Sequence, residues 1–293
     1  MAPVRSLINV VTRTVQEFLD DQPFDLAGAL SYYTLLSMAP LLLVVMATAG
    51  LFLDGEAVRA QIVDQISGLV GRSSAEFVES IIIRADQPYR GAVAMVTGLA
   101  VTILGATTVF AQLQAALNRI WHVQAAPGRS AIWSYLRQRL LSLGMVLTIA
   151  FLLLTSLAIS ALLAALQGYV ERFLPGDWII WRILNVMISL GLVTLLIAMM
   201  FKFLPDAKID WRDTWFGAFI TALLFTVGKF LIGMYLGQAS IGSTYGAAGS
   251  AVVLMVWIYY ASLILFFGAK ITQVVARQRG ARIEPSAHAE PAA

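Results

Sequence analysis

One lysine, one hydroxyl-bearing helix face and one glycine-rich loop are the parts of this sequence whose residue types and spacing could do chemistry. Lys229 lies deep in an apolar run, with no acidic residue in the same run to pair with it. An ammonium at that depth costs about 2.5–3.5 kcal/mol to insert, so it faces protein or a wet cavity, or snorkels to the headgroup region. Turned inward it would bind an anionic group such as a phosphate or carboxylate. Snorkelling, seven residues before Leu236, it would bind nothing. Ser31, Thr34 and Ser37 recur every three residues and share one helix side, with Tyr32 and Tyr33 beside them. Such a stripe lines a substrate path or, more commonly, hydrogen-bonds to neighbouring helices. The loop GQASIGSTYGAAG, residues 237–249, carries Ser243, Thr244 and Tyr245 among glycines that permit positive φ and close backbone approach. It either re-enters the bilayer and offers helix N-terminal amides to an anion, or is a close-packed turn.

The absences narrow the chemistry. Gly228-Lys229 is followed by Phe230, so the pair is no phosphate-binding loop, and no ATPase motif is present. His122 and His288 are the only histidines, there is no cysteine, and every Asp and Glu lies outside the apolar runs. Thiolate metal sites are therefore impossible, and hydrolysis or a carboxylate proton relay lacks its groups. The expectation is a protein that is not an enzyme and needs no metal or cofactor.

The elements that must position these residues follow from hydropathy. The chain is 59% hydrophobic and only 13% charged, against about 25% charged in soluble domains. Mean hydropathy is +0.79. Apolar runs long enough to span a bilayer predict an all-α polytopic membrane protein with six transmembrane helices, at about 27–53, 91–117, 140–166, 179–204, 214–236 and 250–272. The first apolar run begins too far in, and is too long, for a signal peptide. Pro40 is expected to kink or divide the first span. Residues 4–19 place Val4, Leu7, Ile8, Val11, Val15, Phe18 and Leu19 at helical spacing, which predicts an N-terminal amphipathic helix on the membrane surface or under the bundle. Two further amphipathic stripes within 54–90, parted by Gly71, predict interfacial helices between spans 1 and 2, with Ser73 and Glu76 at capping-box spacing. Ala94, Gly98, Thr102 and Ala106, and the pair Gly233 and Gly237, are small-residue packing seams. Residues 1–276 form one transmembrane domain, and 277–293 read as a disordered tail.

Orientation follows the basic residues. With the N-terminus inside, the inner segments carry Arg5, Arg13, Arg119, Arg129, Arg137, Arg139, Lys202, Lys208, Arg212, Lys270, Arg277, Arg279 and Arg282; the outer ones carry Arg59, Arg72, Arg84, Arg90, Arg172 and Arg182. That excess predicts cytoplasmic N- and C-termini. Trp121, Trp133, Trp178, Trp181, Trp211 and Trp215 sit near predicted span ends, as an aromatic belt requires. The basic charge is a topology signal, so no nucleic-acid partner is expected.

Four segments carry a family resemblance: DLAGALSYYTLLSMAPLLLVV (25–45), ALNRIWHV (116–123), FLPDAKIDWRDTWFGAFITALLF (203–225) and GKFLIGMYLGQASIGSTYGAAGSAVVLMVWIYYASLILFFGAK (228–270). In this order they resemble the YihY/virulence factor BrkB family, once labelled ribonuclease BN. The resemblance implies a six-helix bacterial inner-membrane protein. It implies no ribonuclease, because the catalytic residue types are missing. The family pattern ends its last span in Gly-Ala-Glu, where this chain has Gly268-Ala269-Lys270; a charge pairing made there in relatives is lost or reversed here.

Together these features predict a transporter or flippase-like protein for an anionic amphipathic, lipid-like substrate, with membrane lipids as its surroundings. The alternative is a non-transporting scaffold that docks a partner protein through 54–90 or the N-terminal helix.

Overall fold

The computed structural model describes residues 12–51, 54–85, 92–125, 139–148, 178–238, 248–280, 284–286 and 289–291, together with Phe151 and Thr155. Nine helices and four short strands lie within them. We number these α1 (12–20), α2 (Pro23–Ala49), α3 (Gly55–Val70), α4 (Arg72–Ala85), α5 (Ala92–Ile120), α6 (Arg139–Thr148), α7 (Trp178–Phe203), α8 (Trp211–Gln238) and α9 (Gly249–Gln278). The strands are β1 (Val123–Ala125), β2 (Ala207–Lys208), β3 (Glu284–Pro285) and β4 (Ala289–Pro291).

Among the described residues, α2, α5, α7, α8 and α9 are long and apolar enough to cross a membrane. Most of the expected third span lies outside the described residues; its start appears as α6. Residues 239–247 of the glycine-rich loop, with Ser243, Thr244 and Tyr245, lie outside them too, while Gly237 and Gln238 belong to α8 and Gly249 opens α9; the N-terminal half of the 4–19 helix also lies outside.

Helix α2 starts with Pro23 at its first turn, where the missing N–H costs nothing, and Asp25 follows in the same turn. Pro40 does not divide it: α2 runs unbroken from Pro23 to Ala49. The ring is accommodated by α5, because a Cβ at Gly105 would lie 2.9 Å from Pro40 Cβ. Only a glycine lets the two helices approach so closely there. Ala106 beside it is fully buried.

Helices α3 and α4 form a hairpin through Gly71, which takes φ 92. The expected capping box is absent: Ala75 N–H donates to Gly71 O, and Glu76 pairs with Arg72 at 3.0 Å. The helix begins at Arg72, two residues earlier than a Ser73 cap implied, so Ser73 sits inside the first turn. Val58, Ile62, Val78 and Ile82 are buried, and the hairpin packs on α2, α8 and α9.

Helices α2 and α5 pack side by side, α9 lies between α2 and α8, and α7 flanks α8. A reciprocal lock joins α8 to α9. Thr221 donates to Gly217 O within α8 while its side chain fills the space over Gly268; Thr272 donates to Gly268 O within α9 while its side chain fills the space over Gly217. Gly233, read as a seam residue, has nothing among the described residues within 4 Å of where its Cβ would be.

Part of the tail expected to lack order pairs with the loops. β4 runs antiparallel to β1, matching Gln124 with Glu290, and β3 runs antiparallel to β2, matching Lys208 with Glu284. Ser286 N–H adds a bond to Asp206 O at 2.8 Å.

Candidate functional site at the charged end of the bundle

The sequence-expected residues are dispersed. Lys229 is half-buried on α8, eighteen residues beyond Trp211, or roughly 27 Å at 1.5 Å per residue. Its Nζ lies 5.4 Å from the Phe230 ring centroid, and it makes no ion pair among the described residues. Val227, Phe230, Leu231 and Met234 around it are exposed, which gives the ammonium an apolar outer border. Ser31 and Ser37 are buried and Thr34 half-buried, on the inward face of α2. Ser31 donates to Gly28 O and Thr34 to Leu30 O, so these hydroxyls satisfy their own helix. Tyr32 and Tyr33 face outward as an edge-to-face pair with centroids 5.6 Å apart.

A denser polar site forms elsewhere, where α1 meets α2 and where α5 and α9 end. Lys270, counted from the sequence as a flanking charge, is completely buried. The reason is that α9 continues past the expected end at 272 to Gln278, so Lys270 stays inside the packed bundle. Its Nζ lies 2.6 Å from Asp21 Oδ2 as an ion pair, and donates to Gln273 Oε1 at 2.7 Å and Ile120 O at 3.3 Å. The Ile120 carbonyl is one of the last four of α5, which have no partner within their own helix. Lys270 therefore caps α5 from a distance while it pairs with the residue preceding α2. The Gly-Ala-Lys departure thus has an acidic partner 249 positions earlier in the chain.

A second ring surrounds this pair. His122 Nε2 is 3.1 Å from Asp21 Oδ1. Arg277 reaches Glu17 Oε2 at 2.7 Å, and Arg13 reaches Glu17 Oε1 at 2.7 Å. Arg119 donates to Gln22 Oε1. Burial alone would raise the Glu17 carboxyl, but its bond from Arg13 and the charges of Arg277 and Lys270 outweigh this and hold it below the ordinary 4.5. Against the last turns of α5, Asp206 accepts from Gln114 Nε2 at 3.2 Å and Asn118 Nδ2 at 3.0 Å, and its own N–H donates to Asn118 Oδ1. Arg279 pairs with Asp213 at 2.8 Å.

Arg139 is a further residue that charge counting placed at a span edge. It donates to Leu104 O, Thr107 Oγ1 and Thr108 Oγ1. Those positions are twelve to sixteen residues before Ile120, so the guanidinium meets α5 roughly 18 Å or more from its end. Among the described residues no group of acids and histidines is arranged to hold a metal ion.

Five membrane-length apolar helices around a polar end define an integral, polytopic membrane protein. The chain belongs to the virulence factor BrkB family, whose model matches residues 14–293. It is 29% identical over 94% of its length to a UPF0761 membrane protein of Rhodospirillum centenum, and spans 59% of that protein. A UPF0761 membrane protein of Stenotrophomonas maltophilia is 28% identical over 91% of this chain and 61% of its own. One of Alteromonas mediterranea is 24% identical over 84% and 80%. The chain thus spans about three fifths of the first two relatives. No solved structure matches.

Proposed function

We propose that this protein moves an anionic amphipathic, lipid-like substrate across a bacterial inner membrane, with both termini in the cytoplasm. The observation that carries the reading is the setting of Lys229: a half-buried ammonium at membrane depth, without an ion-pair partner among the described residues, at the edge of an exposed apolar surface. An anionic headgroup supplies the missing counter-charge, and its acyl chains lie along Val227, Phe230, Leu231 and Met234. No soluble anion gains from that second feature. Movement would be downhill or driven by a gradient or partner, since the chain carries no ATPase motif.

The test is mass spectrometry of lipid retained by the protein in nanodiscs, wild type beside Lys229→Ala. The reading expects one anionic lipid class enriched over the bulk bilayer in wild type and lost in the variant. Bulk-like lipid in both would contradict it. A protein retained equally by both would favour the docking-scaffold alternative, whose charged outer surface is the Arg59–Glu56 and Arg72–Glu76 face of α3–α4.

A further inference from the structure

We propose that the Asp21–Lys270 pair is a gate: breaking it parts α9 from the α1–α2 corner and from α5, and admits water to the bundle interior from the charged end. Three observations carry this. The pair is the most deeply buried charge contact among the described residues, with Lys270 fully enclosed and Asp21 nearly so. From α9, Lys270 reaches two other elements, Asp21 ahead of α2 and the Ile120 carbonyl ending α5, while Gln273 on the same helix holds its ammonium, so breaking the pair loosens α9 from both. The chain also stores strain on both sides of it. Gln22 at φ 58 and His122 at φ 55 are the two non-glycine residues with positive φ among those described, and they turn the chain into α2 and out of α5.

The physics of a buried pair makes this a two-state element. Closed, the charges satisfy each other in a dry setting; open, both are hydrated. Leaving one charge buried alone is strongly penalised, so partial opening is disfavoured. The exposed and half-exposed charged groups on the packed elements set how readily water arrives: Arg13 and Glu17 from α1, Asp25 from α2, Arg119 from α5, His122 beyond it and Arg277 from α9. The inference rests on the transport reading for its purpose, since a gate serves alternating access.

The chain has no cysteine, so a single introduced thiol reports cleanly. Ala27 is fully buried on α2, six residues and roughly 9 Å past Asp21. The experiment labels Ala27→Cys in nanodiscs with a membrane-impermeant maleimide. Slow labelling is expected with the pair intact. Asp21→Asn and Lys270→Gln should each speed it at least about tenfold, and the exchanged pair Asp21→Lys with Lys270→Asp should return it toward the starting rate. Gel filtration checks that each variant is folded. If the single variants do not fold, His122→Ala decides, because it leaves the pair in place and removes only the half-exposed contact to Asp21: about threefold faster labelling supports the gate. Unchanged labelling in every folded variant, or an exchanged pair as fast as the single ones, overturns it. Labelling needs no substrate, so failure here leaves the lipid-retention result standing, and loss of lipid retention leaves the labelling result readable.

Discussion

Lys270 is buried against a carboxylate, whereas Lys229 is half-buried against a phenylalanine ring. Both are lysines within predicted spans, and their neighbours separate a charge satisfied by a carboxylate from one with no ion pair among the described residues. Glu17 belongs with the first kind, since Arg13 and Arg277 both hold it. A carboxyl lowered in the folded state adds stability above its unfolded value, and that stability is lost as pH falls through the lowered folded value. Acid melting should therefore show a destabilising limb below about pH 4.5, and Glu17→Gln should flatten it. A limb unchanged in Glu17→Gln would remove Glu17 from the acid response.

At the scale of elements, the α8–α9 contact depends on two glycines facing two threonines. A Cβ at Gly268 would lie 2.7 Å from Thr221 Cβ. Gly268→Ala should cost about 1–3 kcal/mol through overpacking, read as a lower melting temperature in detergent. Thr221→Gly in the same chain should recover part of that loss. An unaltered melting temperature would mean that α8 and α9 slide apart freely. The apolar runs made five of the six expected spans legible as helices among the described residues, because a membrane span needs only length and hydropathy. The close approaches were not legible: Gly105 on Pro40 and Gly268 on Thr221 depend on which helices become neighbours, which periodicity does not encode. The seam at Gly233 shows the converse, a small-residue spacing with no neighbour within the described chain.

At the scale of the whole molecule, charge counting located basic residues at span edges but did not foresee what they bond to. Lys270 and Arg139 were legible as charges and illegible as partners. The Asp21 partner was illegible because the pairing crosses 249 positions. The one local signal was the Gly-Ala-Lys departure from the family pattern, which marked the position without naming its counterpart. The proposed transport reading divides the protein into a gate at the Asp21–Lys270 pair and an anion-accepting surface at Lys229. The measurement that tests this most directly is movement of a fluorescent anionic phospholipid between leaflets of proteoliposomes, read by an impermeant quencher. The account predicts that wild type exposes label from the inner leaflet while Lys229→Ala quenches only the outer leaflet, as protein-free vesicles do. Equal exposure by wild type and Lys229→Ala, or none by wild type, would contradict it.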